Sequence, residues 1–148
     1  MASVLIDTNV LICACDTANH PRQEQAIQVL KFLEITRAGR LSVQCLAEFC
    51  NATTRSTRPL YTHADALAQI ERLARAYIIF DLTPMIVLEA ARGMRDHSLA
   101  YNDAQILASA RLNQIPLVFS VDFQDKQTLE RVKFVNPFSV NFRMNDWV

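Results

Sequence analysis

Five short apolar runs alternate with longer stretches in which apolar residues recur every three to four positions, and this alternation restricts the fold more than any other property of the chain. The runs are Met1–Ile6, Arg40–Val43, Tyr77–Phe80, Leu117–Ser120 and Phe134–Asn136, each of strand length. Between them the spacing predicts helices over Val10–Asp16, Arg22–Arg37, Gln44–Arg55, Ala64–Arg75, Pro84–Arg95 and Asn102–Leu112. The second of these carries Ala26, Ile27, Leu30, Leu33 and Ile35 at near-helical spacing and is read as ending at Gly39, a C-terminal cap. The third presents Leu46, Phe49 and Cys50 on one side, and Thr83-Pro84 supplies the fifth with an N-cap and a proline at its first position. Strands alternating with helices of this length build βαβ units. The expected class is therefore α/β, with a central, mainly parallel five-stranded sheet flanked by helices.

With 148 residues and no linker, repeat or low-complexity segment, residues 1–148 are read as one domain. Hydrophobic residues make up 51% of the chain and glycine occurs only twice, which fits a helix-rich, compact protein and argues against disorder. Lys plus Arg and Asp plus Glu are both 15, so affinity for a nucleic acid would have to come from local arrangement and not from net charge. Met1-Ala2-Ser3 leads directly into a strand without the pattern of a signal peptide, so a cytoplasmic location is expected. No apolar run approaches the ~20 residues of a membrane-spanning helix. In the cytosol Cys13, Cys15, Cys45 and Cys50 are expected to be reduced core residues. They form no CxxC pair, and Cys13 and Cys15 point to different sides of a helix, so their spacing does not suit zinc.

Four segments also place a carboxylate where apolar structure ends. Asp7 follows Val4-Leu5-Ile6, Glu48 follows Leu41-Ser42-Val43, Asp103 follows Leu99-Ala100-Tyr101, and Asp122 follows Pro116-Leu117-Val118-Phe119. In an open parallel sheet, residues just past the carboxyl ends of strands converge on one crevice. Glu48 lies about one turn into its helix, from which its longer side chain can reach back, and Asp103 lies at a helix N-terminus, where the dipole supports negative charge. Singly, Asp7-Thr8-Asn9 also fits an Asx turn, Glu48 a solvated helix residue, Asp103 an N-cap and Asp122 a turn. Jointly, the four follow one strand-edge rule. Gathered carboxylates are costly to keep ionised, and a hard divalent cation such as Mg²⁺ or Mn²⁺ is their natural compensation. The expected activity is that of a metal-dependent nuclease. Asp7, Asp103 and Asp122 would hold an ion, and Glu48 would bind a second ion or the attacking water.

These residues resemble a known family. Leu5-Ile6-Asp7-Thr8-Asn9, Ser42-Val43-Gln44-Cys45-Leu46-Ala47-Glu48-Phe49, Leu99-Ala100-Tyr101-Asn102-Asp103-Ala104 and Phe119-Ser120-Val121-Asp122-Phe123 look like the ordered motifs of PIN-domain ribonucleases. The likeness is closest to the VapC-type toxins of bacterial toxin–antitoxin pairs and extends to Val135-Asn136-Pro137-Phe138. It implies a three-layer PIN-like fold, hydrolysis of RNA phosphodiester bonds with Mg²⁺ or Mn²⁺, a cognate antitoxin and a homodimer. Two positions depart from the pattern: Val121 stands where many relatives of this subgroup have Glu, and Lys126 where they have Gly. Asp125 is a second candidate for the fourth acid, and Asp122 is preferred because it follows its strand at once.

Thr8, Asn9 and Ser120 stand beside these acids as candidates to orient carboxylates or water, or simply to cap and turn. For His97, ahead of the third motif, a phosphate contact and a structural role are both open. Arg37, Arg40, Arg55 and Arg58, with Arg92 and Arg95, form either a basic track for an RNA backbone or a set of solvated helix ends. Two other functions compete. A non-catalytic RNA- or protein-binding module could share the fold, although without metal it would gain by losing clustered acids. A receiver-like signalling domain needs paired acids after the first strand, which are missing, and an acceptor after the third, where Asp81 is the sole candidate.

Overall fold

Val4, Leu5 and Ile6 are wholly buried because β1 (Val4–Ile6) has a parallel neighbour on each side, β2 (Gly39–Ser42) and β4 (Leu117–Phe119). An unbroken apolar run suits such a strand, since both of its faces are covered. The computed structural model describes residues 2–148, so Met1, the start of the expected first strand, lies outside the described residues. β3 (Ile78–Phe80) pairs parallel with β2, β6 (Val132–Val135) pairs parallel with β4, and β5 (Thr128–Leu129) pairs antiparallel with β6. The order is β3-β2-β1-β4-β6-β5. All five expected strands occur, and β5 makes a sixth. Its hairpin turns through Glu130 and Arg131 at φ 47° and 69°, without the Gly or Asn that normally announces such a turn.

The helices are α1 (Thr8–Cys15), α2 (His20–Thr36), α3 (Val43–Thr54), α4 (His63–Ala76), α5 (Pro84–His97) and α6 (Tyr101–Leu112). Side-chain oxygens of Asp7, Asn19, Ser42, Thr62 and Thr83 cap the first five, satisfying backbone N–H groups that would otherwise lack partners. From β1 the chain moves outward to β2 and β3, then crosses back to β4 and on to β6. Right-handed crossovers running in opposite directions put α1–α4 on one face and α5–α6 on the other. The packing agrees: α1 meets α2 and α3, α3 meets α4, and α5 lies along α6. The reversal occurs between β1 and β4, and the carboxyl ends of these two strands frame the point where such sheets bind ligands.

Several expected positions are corrected. Gly39 is not a helix cap: α2 ends at Thr36 and is capped by Arg37, which itself adopts the left-handed conformation at φ 58°, and Gly39 begins β2. A Cβ at Gly39 would meet Cε1 of Tyr77 at 2.6 Å and Cδ1 at 2.8 Å, so this glycine serves close packing. Ile27 and Ile35 are 45% and 76% exposed and lie off the buried side of α2, which uses Ala26, Val29, Leu30 and Leu33. The four cysteines are free thiols, but only Cys45 is buried; Cys13 and Cys15 are half-buried and Cys50 is exposed.

The Tyr77 hydroxyl donates to the Leu30 carbonyl at 3.1 Å, which pins the ring against Gly39. Gly39→Ala is therefore expected to destabilise the protein by about 1–3 kcal/mol, the usual range for overpacking. Urea denaturation checks it, and an unchanged midpoint would show that the ring can yield.

Candidate metal centre

Asp7 leaves β1 and opens α1, and its backbone N–H donates to the Phe119 carbonyl of β4 at 3.0 Å, so it sits at the chain reversal itself. It is 5% exposed. One carboxylate oxygen accepts from the Thr8 backbone N–H at 2.7 Å, and the other accepts from the Ser120 hydroxyl at 2.7 Å. Ser120, just past β4, also accepts from the Asp122 backbone N–H at 3.1 Å, so one hydroxyl ties the two strand ends together. Asp103 lies in the first turn of α6, whose N-cap Ala100 has no side chain to cap with; the carboxylate there complements the exposed N–H groups. Oxygens of Asp7, Asp103 and Asp122 all lie within 4.8 Å of one another, in a graded setting of buried, half-buried and exposed.

Glu48 adjoins this trio. Thr8 Oγ1 donates to its Oε2 at 2.7 Å, and Gln44 Nε2 donates to its Oε1 at 2.9 Å. Asp7 and Glu48 line one cleft of about 380 Å³ with Asn51, Arg55, Asn102 and Asp122. Burial above all pushes the Asp7 carboxyl up to about 7; the hydrogen bonds from Ser120 and Thr8 hold it down, and the charges of Asp122 and Glu48 push it further up. Asp103 is also raised, by burial first and then by Asp122 and Glu48. Among the described residues, none of the four acids forms an ion pair with Lys, Arg or His. Convergent oxygen donors without an internal counter-charge fit a hard divalent cation.

The orienting candidates fall at the site. Asn9 Nδ2 lies 3.0 Å from Asp122 Oδ2, and 3.4 Å from both Asp7 Oδ2 and Ser120 Oγ, so one amide donor spans both strand ends. Asp125 does not join the acids. It accepts from the Asn136 backbone N–H at 2.8 Å and shares a separate niche with Lys126, Asn136 and Trp147. Lys126 adopts φ 65°, a left-handed conformation that accounts for the glycine expected there.

Much of the expected basic track lies elsewhere. Arg37 and Arg40 flank the start of β2, at the opposite edge of the sheet, where Arg40 donates to the Arg37 and Gly39 carbonyls. Arg92 pairs with Glu89, which also takes Arg111, and Arg95 pairs with its neighbour Asp96. His97 lies 3.8 Å from Glu130 in the β5–β6 turn, not with the acids. Of the six arginines, Arg55 lines the cleft; Arg58 belongs to the loop after α3 and is not among the residues lining it. Gln44 was not singled out from the sequence. Its position four residues before Glu48 on one helix is the signal that could have found it.

The sequence of residues 4–134 matches the family model for the PIN domain. No curated protein matches the chain significantly by sequence. Similar solved structures include VapC20 of Mycobacterium tuberculosis, described as a sarcin-ricin loop cleaving toxin, with TM-score 0.63 and 19% identity over 81% of this chain and 90% of that one. A toxin–antitoxin complex from Klebsiella pneumoniae gives 0.63 and 20%, covering 91% of this chain and 98% of the other. DNA-bound VapBC from Salmonella typhimurium gives 0.64 and 15%, covering 90% and 97%. At these identities the likeness establishes the shared fold.

The raised carboxyl of Asp7 has a sign that can be tested. Between about pH 4 and 7 the native protein keeps a proton that the unfolded chain has released, so native stability falls as pH rises through that window. In EDTA, Asp7→Asn is expected to melt no lower than wild type near pH 7 and to lose this advantage toward pH 4, a difference of a few kcal/mol at most. If Asp7 were only an N-cap, the substitution would cost roughly 1 kcal/mol at every pH.

Proposed function

The chain belongs to the PIN-domain family, and from that premise we propose that it is a Mg²⁺- or Mn²⁺-dependent endoribonuclease, the toxin of a toxin–antitoxin pair. The observation that carries the chemistry is the convergence of Asp7, Asp103 and Asp122 oxygens within 4.8 Å with no cationic side chain among the described residues paired to them. The toxin role is supported by the VapC and VapBC character of the similar structures, which also makes a cognate antitoxin the expected protein partner.

Asp7, Asp103 and Asp122 would hold the cation. A divalent ion bound there supplies Lewis acidity to a phosphodiester and lowers the pKa of a water. The chain's own contribution is placement. Ser120 and Asn9 fix the carboxylates at the two strand ends relative to each other. Glu48, gripped through both oxygens, would be held to bind a second ion or the attacking water. Arg55 on the cleft wall offers positive charge to an RNA backbone, while the other candidate arginines have no such placement.

Incubation of purified protein with total RNA tests the reading. Cleavage is expected with Mg²⁺ or Mn²⁺ and should vanish in excess EDTA, whereas undiminished cleavage in chelator would sink the metal-dependent chemistry. Asp7→Asn, Glu48→Gln, Asp103→Asn and Asp122→Asn should each lower turnover by about two orders of magnitude or more. Asp125→Asn, which alters a side chain bonded to the Asn136 backbone away from the acids, should stay within a few-fold of wild type. RNA binding without cleavage under every metal condition would favour the non-catalytic module.

A further inference from the structure

Gln44 is 8% exposed and lies in the first turn of α3. Its Nε2 makes two hydrogen bonds, to Glu48 Oε1 at 2.9 Å and to the Asn102 carbonyl at 3.0 Å. Its Oε1 is buried and has no hydrogen-bond partner among the described residues. Leaving a buried amide oxygen unpaired is costly, so in terms of stability alone this is a poor use of a buried position. An amide flipped to satisfy the oxygen would face it toward a carboxylate and a carbonyl, so the donor orientation is the one the surroundings select.

We propose that Gln44 is a positioning residue for Glu48, a role that rests on the metal-dependent reading above. Asn102 immediately precedes Asp103 in α6. Through one NH₂ group, Gln44 therefore ties the Glu48 carboxylate to the helix turn that carries Asp103. Thr8 Oγ1 holds the other Glu48 oxygen and belongs to the turn that carries Asp7. Glu48 is thereby strung between the two acids whose carboxyls its charge already reaches. Both tethers are uncharged, so they hold Glu48 in place without cancelling the negative potential offered to a cation. A lysine or arginine at position 44 could make the same contact but would neutralise the site.

Gln44→Met tests this, because it keeps length and helix propensity while removing both the donor and the orphaned oxygen. Three quantities are read: the melting temperature in EDTA, the affinity for Mn²⁺ by calorimetric titration, and the same affinity in a Glu48→Gln background. The expected result is a melting temperature at or above that of wild type, with Mn²⁺ affinity weakened about ten-fold, the scale of groups that orient metal-site carboxylates. In the Glu48→Gln background the second substitution should weaken Mn²⁺ binding no further, since the group it positions is already altered. Unchanged affinity in Gln44→Met, an equal loss in both backgrounds, or a clear fall of the melting temperature in EDTA would each overturn the role of Gln44. Wild type that binds no Mn²⁺ would instead overturn the metal-dependent reading itself, and this role with it.

Discussion

Repulsion among carboxylates at the carboxyl edge of the sheet is the constraint around which the site is organised. Asp7 is buried between two strand ends, Asp122 and Glu48 raise its carboxyl further, and no Lys, Arg or His among the described residues pairs with any of the four acids. With no cationic side chain among the described residues to hold it, the cluster is held by donors that carry no charge. Thr8, Asn9, Gln44 and Ser120 are those donors, each bonded to at least one acid. Their uniform neutrality leaves the electrostatic deficit for a cation to make up.

The topology explains why these groups meet. β1 and β4 are neighbours although more than one hundred residues of chain separate them, because the path goes out to β3 before it returns. That return brings Ser120 within 2.7 Å of Asp7 and Asp122 within reach of Asn9. Helix starts do the rest: Asp7 caps α1, Asp103 enters the first turn of α6, and Gln44 lies in the first turn of α3. The far edge of the sheet carries a different chemistry. There Arg40 donates to the Arg37 and Gly39 carbonyls, and Arg92, Arg111, Glu89 and Glu130 join α5, α6 and the β5–β6 turn through ion pairs.

What could be read from sequence follows the same physics. The alternation of apolar runs and helical spacing gave the strands and helices nearly in place, and the rule that carboxylates past strand ends converge gathered Asp7, Asp103 and Asp122. The failures have particular causes. Gly39 has the same letter whether it caps a helix or admits a tyrosine ring, and only the packing of Tyr77 separates the two. Arg37 and Arg40 are near Glu48 in sequence, yet a strand of four residues carries the chain from one edge of the sheet to the other. β5 was missed because two residues and a Glu-Arg turn carry no periodic or turn signal. Gln44 was passed over because a polar residue in a first helical turn looks solvated until a second helix is known to cover it.

The central claim is that a divalent cation supplies the counter-charge that no Lys, Arg or His among the described residues gives Asp7, Asp103 and Asp122. Anomalous scattering from crystals grown with Mn²⁺ tests it most directly. The expected result is a peak bonded to carboxylate oxygens of all three residues, at distances of about 2.0–2.3 Å for such hard-cation sites. A peak beside Asp125, or none at the carboxyl edge of β1 and β4 at saturating Mn²⁺, would contradict it.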